Sequence, residues 1–126
     1  MAKEAVKSVY DFLEKAGTYY LATAEADQPR VRPFGTVLLY EDRLYILTSK
    51  TKNVSKQIAL NNKFELSAMV GEDWIRIAGT LEEDNREEVH NAMLNKYPHL
   101  KDSYTAGDEN TNTLYIKDAK VTFASF

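Results

Sequence analysis

Two short windows hold the residue types best suited to binding an anion: Arg30-Val31-Arg32-Pro33-Phe34, and Thr48-Ser49-Lys50-Thr51-Lys52-Asn53 with Lys56 just beyond. Arg30, Arg32, Lys50, Lys52 and Lys56 concentrate positive charge in a chain whose formal net charge is -3. The second window reads as a strand running into a helix. Hydroxyls, an Asn side chain, and the unpaired backbone N–H groups and positive dipole end of a helix would together suit a phosphate monoester. Spacing alone supports a plainer reading at least as well, a capped helix whose lysines are solvated.

Other residues single themselves out less sharply. Pro33 cannot donate to a ladder, so it marks a strand edge, a bulge or a close approach to the backbone. Trp74, the one tryptophan, follows an acidic turn and either stacks on a planar ligand or covers the core. His90 and His99 have no partner at metal-ligand spacing and read as surface histidines, so no metal site is expected. Gly-x-Ser-x-Gly, Gly-x-Gly-x-x-Gly and Walker-type loops are all missing, which leaves hydrolase, Rossmann and NTPase readings without support. With no cysteine, thiolate nucleophiles, disulfides and iron-sulfur clusters drop out, and redox chemistry would need a borrowed cofactor.

These residues must be positioned by a fold that 126 residues, 44% of them hydrophobic, can build around one core. The acidic balance argues against nucleic acid as the main partner. No apolar run approaches the roughly 20 residues of a membrane span. The polar, amphipathic N-terminal segment lacks a signal-like apolar stretch, so the expected location is cytoplasmic.

Apolar residues at Val6, Val9, Tyr10, Leu13 and Ala16 predict a helix over 3–16, ended by Gly17. Strands are expected over 18–24, 30–40 and 44–48 as a three-stranded meander, followed by a short helix that carries Val54 and Ile58. Strands over 63–70 and 74–82 flank the turn residues Gly71-Glu72-Asp73. Asp84 and Glu87 read as a capping box for a helix ending near Tyr97, with Pro98 closing it. Residues 101–112 read as a loop. Strands over 113–116 and 119–123 are expected around a Lys117-Asp118 turn. With no internal repeat or linker, residues 1–126 read as a single domain, mainly β with inserted helices, in a barrel-like α+β fold.

The order of these elements, with Arg30-Val-Arg-Pro-Phe34, Leu44-Tyr-Ile-Leu-Thr-Ser49, Lys52-Asn-Val, Gln57-Ile58 and Trp74-Ile-Arg-Ile-Ala-Gly-Thr80, resembles the pyridoxamine 5′-phosphate oxidase-like flavoproteins over almost the whole chain. The likeness is greatest to their short branch related to nitroimidazole-resistance reductases. It implies an FMN-binding split β-barrel with flanking helices, a homodimer with two FMN sites at its interface, and oxidoreductase activity between a nicotinamide donor and an acceptor. A non-catalytic flavin-binding protein is the alternative, as is the same fold holding a deazaflavin or haem. By resemblance, Arg32, Pro33 and Phe34 would run along the isoalloxazine and ribityl chain. Thr48 and Ser49 would meet ribityl and phosphate, and Lys52 and Asn53 would hold the phosphate. Gln57 and Trp74 are further cofactor candidates, the latter reaching the partner's flavin. The C-terminal Trp and Arg-Leu segment of true pyridoxamine phosphate oxidases is not found, and Lys52 stands alone where they place an Arg-Lys pair. The expectation is therefore against pyridoxal phosphate synthesis.

Overall fold

A computed structural model describes residues 2–126. Helix α1 (Lys3–Ala16) buries Val6, Val9 and Leu13, and Gly17, at φ 76°, closes it by donating its N–H to Leu13 O. Strand β1 (Tyr19–Glu25) buries Tyr19, Leu21 and Thr23, every second residue, as a half-covered strand should. Then follow β2 (Gln28–Phe34), β3 (Leu38–Tyr40), β4 (Arg43–Ser49), α2 (Asn53–Leu60), β5 (Lys63–Val70) and β6 (Asp73–Glu83). Helix α3 (Glu87–Lys96), a 3-10 turn (Pro98–Asp102) and β7 (Thr111–Ser125) complete the chain.

All strand pairs are antiparallel, in the order β2-β1-β5-β6-β7-β4-β3. The expected meander is therefore corrected. Residues 30–40 form two strands, β2 and β3, on opposite edges of the sheet, joined only by Gly35, Thr36 and Val37. In a flat sheet the outer strands would stand about 29 Å apart, six spacings of about 4.8 Å. Four Cα steps from Phe34 to Leu38 reach at most about 15 Å. The sheet must therefore curl until its edges nearly meet, giving a mainly β, α+β barrel split along that seam. Pro29 and Pro33 both lie on β2, an edge strand, where a missing N–H costs least.

Strand β4 is buried on both faces. Leu44 and Ile46 point into the barrel core with Leu21, Leu66, Ile75 and Ile77, and Tyr45 and Leu47 pack under α3 with Val89, Met93 and Leu94. Helix α2 joins the barrel core through Val54 and Ile58. Among the described residues no helix is long and apolar enough to cross a membrane.

Three further expectations are corrected. Strand β7 runs unbroken from Thr111 to Ser125, and Lys117-Asp118 is a bulge within it, where β6 advances two residues against three on β7 and Asp118 takes φ 52°. Helix α3 has Arg86 at its N-cap and no capping side chain. Asp84 instead accepts hydrogen bonds from the Arg86 guanidinium and the Tyr45 hydroxyl, and Arg86 holds its carboxyl down to about 2. Finally, the stretch expected as a loop over 101–112 begins inside the 3-10 turn and ends inside β7.

Opposite the bulge, a β-carbon on Gly79 would lie 2.7 Å from Lys117 O and 3.1 Å from Ala119 Cα. Since that neighbour is backbone and cannot swing aside, Gly79→Ala is expected to cost about 1–3 kcal/mol. A lowered urea midpoint with unchanged m-value would show it.

Candidate functional site

The seam opens into a cleft of about 710 Å3 between β2 and the start of α2. Of the residues singled out in the sequence, Arg32, Pro33, Phe34, Thr48, Lys52, Asn53 and Gln57 line it, as do Arg30 and Val31. Alternation along β2 sends Arg30, Arg32 and Phe34 to the face shared with Tyr19, Leu21 and Thr23, while Val31 and Pro33 face outward. The ring of Phe34 packs 5.9 Å from that of Tyr19.

Arg32 reaches across to α2. Its Nη1 donates to Thr23 Oγ1 at 2.8 Å and to Leu21 O at 3.3 Å, and its Nη2 donates to Gln57 Oε1 at 2.9 Å. Among the described residues it has no ion-pair partner, because Glu25, the carboxylate on the cleft rim, is taken by Arg30 at 2.8 Å. Burial, and next the like charge of Arg30, lower the proton affinity of Arg32 without removing its charge. A half-buried cation held by neutral groups is an electrostatic vacancy for an anion.

The start of α2 supplies complementary donors. Lys52 occupies the N-cap position and, among the described residues, no side chain caps the helix. The backbone N–H groups of Ser55 and Lys56 bond Lys52 O, whereas those of Asn53 and Val54 have no acceptor among the described residues. Two free amides at the positive end of a helix, beside Lys52 and facing Arg32, make an oxyanion cradle.

Thr48 and Ser49 differ in role. Thr48 is buried, pairs with Asn112 across β4 and β7, and borders the cleft. Ser49 lies behind the cleft. Its hydroxyl donates to Asn110 Oδ1 at 2.6 Å and its carbonyl accepts from Ser55 Oγ at 2.8 Å, so it braces the helix start. Trp74 stands outside this chain's cleft. It lies on β6 opposite Met69 and Ala124, its ring 6.4 Å from that of Phe126 and stacked by Arg76.

Sequence reading missed Thr23, Glu25, Gly35, Thr36 and Leu47, all of them at the cleft or behind it. Thr23 was legible in principle, since it shares the inward period of Tyr19 and Leu21. His90 was misplaced: it is buried, not on the surface. Its Nδ1 accepts from the Gly107 N–H at 3.0 Å, which leaves Nε2–H to donate to Asn85 Oδ1 at 2.9 Å. Asn85 then donates to Asn112 Oδ1, and Asn112 Nδ2 to Ser55 Oγ, so a chain of hydrogen-bonded polar side chains runs from His90 on α3 to the start of α2. One histidine inside a polar segment gives no sequence cue to such a chain.

The family profile for pyridoxamine 5′-phosphate oxidase matches residues 5–121. No curated protein matches. Among solved structures, a NimC/NimA family protein from Clostridium acetobutylicum is 42% identical, with a TM-score of 0.93 over 97% of this chain and 88% of that one. A FAD-binding protein from Mesorhizobium loti, 17% identical, has a TM-score of 0.65 over 99% of this chain and 96% of its own. A heme binding protein from Mycobacterium smegmatis, 11% identical, has a TM-score of 0.71 over 96% of this chain and 57% of its own. The last two share the fold.

Burial holds His90 below its ordinary value of 6.5, so the folded protein binds fewer protons there than the unfolded chain. The stability this contributes is fully present above about pH 6.5 and declines as the pH falls beneath it. Urea midpoints measured from about pH 7 to 5 are expected to fall in the native protein, and His90→Gln to abolish that part of the slope.

Proposed function

The chain belongs to the pyridoxamine 5′-phosphate oxidase family, and from that premise we propose that it is an FMN-binding flavoprotein, a small oxidoreductase passing hydride or electrons from a nicotinamide donor to an acceptor. The observation that carries this reading is the unbalanced Arg32 guanidinium facing the free Asn53 and Val54 amides across one cleft. The donor set suits a phosphate monoester, and the volume lies within the range of small-molecule sites. Arg32, Lys52 and the helix amides would hold the phosphate, while Phe34, Pro33 and Leu47 would exclude water from the ring. Bound FMN would supply the two-electron chemistry.

Haem fits less well. Haem iron takes His, Cys, Met or Tyr as ligand, and among the described residues none of these lines the cleft. A deazaflavin would use the same phosphate grip, so competition against FMN separates the two.

The partner we propose is a second copy of the chain. Val31 and Pro33 line the cleft yet belong to the outer face of the sheet, where Tyr20 lies opposite Pro33 and Met69 opposite Trp74. Tyr20 is 54% exposed, Val31 68% and Met69 51%, an apolar surface continuous with the cleft mouth. A copy seated there would roof the ligand.

Titration of the purified protein with FMN after gel filtration is expected to give a retained flavin band. Arg32→Ala and Lys52→Ala should each weaken binding about tenfold or more, the worth of a charge-assisted hydrogen bond; unchanged affinity in both would overturn the site. Reduction by NADH or NADPH no faster than free flavin would favour the non-catalytic alternative. Light scattering at micromolar concentration is expected to give a dimeric mass that Val31→Asp reduces to that of a monomer, with FMN affinity falling alongside. A monomeric native protein would count against the shared site.

A further inference from the structure

Gln57 is 6% exposed, yet it borders the cleft. Its Oε1 accepts two hydrogen bonds, from the Thr23 hydroxyl at 2.6 Å and from Arg32 Nη2 at 2.9 Å. A guanidinium can only donate, so the amide atom facing Arg32 must be the oxygen, and the orientation of the amide follows from chemistry. The –NH2 end then carries two donors with no acceptor among the described residues. Every fully enclosed side-chain polar atom of the described residues has a partner, so this nitrogen keeps access from the cleft.

Thr23 determines the arrangement. Its Oγ1 accepts from Arg32 Nη1 at 2.8 Å, which leaves its proton directed at Gln57 Oε1. Three side chains from β1, β2 and α2 thus form a closed triangle in which every internal donor and acceptor is assigned. What remains outward is the unbalanced charge of Arg32 and the paired donors of Gln57. A neutral carbonyl would satisfy the amide and leave the charge. An anionic oxygen satisfies both. Gln57 also lies four residues, about 6 Å along the helix axis, from Asn53, so the triangle and the helix amides border the same cleft.

We propose that the Thr23–Gln57–Arg32 triangle reads an anionic phosphate oxygen, with Gln57 as the residue that makes the cleft prefer a phosphorylated flavin to riboflavin and Thr23 as the residue that orients it. The naming of the flavin rests on the FMN reading; the phosphate reader itself does not. Because Gln57→Glu places a carboxylate against Arg32, the fold keeps a partner for the guanidinium while the site loses its charge and both donors.

Affinities for FMN and for riboflavin, measured side by side, test the assignment. Gln57→Glu is expected to weaken FMN about a hundredfold while riboflavin changes by less than about threefold. Thr23→Val should weaken FMN about tenfold, and Thr23→Ser, which restores the hydroxyl, should recover it. Equal losses for FMN and riboflavin, or an FMN affinity unmoved by Gln57→Glu, would overturn the proposal while leaving FMN binding in place. Should the native protein bind neither flavin, the FMN reading fails on its own, and inorganic phosphate then serves as the probe. A phosphate-induced rise in thermal midpoint that Gln57→Glu abolishes supports the triangle as a phosphate reader, and no rise in the native protein overturns it.

Discussion

The three residues Gly35, Thr36 and Val37 tie together two edges of one sheet, and the shape of the molecule follows from their shortness. A longer connection would let the seven strands lie open, with β2 and β3 far apart. Because the crossing is brief, its backbone needs partners other than a ladder, and it finds them on every side. The Tyr19 hydroxyl donates to Thr36 O at 2.6 Å, and Leu47 N–H donates to Thr36 Oγ1 at 3.1 Å. Val37 N–H donates to the Tyr97 hydroxyl at 3.0 Å, while Lys96 donates to Val37 O. Strand β1, strand β4 and the end of α3 all converge on the crossing, so the seam is open in pairing but rigid in position. Burial raises the Tyr19 phenol well above its ordinary range and keeps it a donor.

A barrel left open along one line offers something a closed barrel lacks, an edge strand whose two faces have different tasks. The inward face of β2 presents Arg30, Arg32 and Phe34 to the cleft, with Arg32 reaching α2, and the outward face presents Val31 and Pro33 to solvent. Without a neighbour on its far side, β2 does not have to match a further register, which is why it tolerates two prolines in seven residues. Hydrogen-bonded polar side chains hold the opposite wall. Asn85, Asn112 and Ser55 link α3 to the first turn of α2, so the helix start is fixed by hydrogen bonds whose directions admit few alternatives.

Much of this was legible from residue pattern. The helical period of α1 appears as three-and-four spacing, the hairpin of β5 and β6 as two strand-like runs about Gly71-Glu72-Asp73, and β4 as the apolar run Leu44-Tyr45-Ile46-Leu47. The windows 30–34 and 48–53 announced themselves by charge in an acidic chain. Pairing order was not legible, because a run such as 30–40 carries the same local preference whether it is one strand or two, and only the barrel's closure separates them. The Lys117-Asp118 pair looked like a turn for a related reason: a bulge with a residue at positive φ uses the same residue types as a turn, and the long register with β6 decides between them. Asp84 looked like a cap until Arg86 and Tyr45, distant or poorly spaced in sequence, competed for its oxygens. His90 and Thr23 escaped because their meaning lies in partners contributed by other elements.

Arg32 shows how the fold and the site become one problem. A guanidinium on an open edge strand would ordinarily reach solvent, and its charge would be screened there. Here α2 packs against β1 and β4, within reach of the Arg32 side chain on β2, and Thr23 and Gln57 draw that side chain inward and bond it without neutralising it. Removing a cation partly from water costs free energy that neutral hydrogen bonds recover only in part. The same closure that makes the barrel therefore leaves a charge whose most favourable state includes an anion, and it places that charge opposite a helix start with two free amides. Affinity at such a site comes from groups ordered before the ligand arrives, because the three side chains are already fixed to one another and lose little freedom on binding.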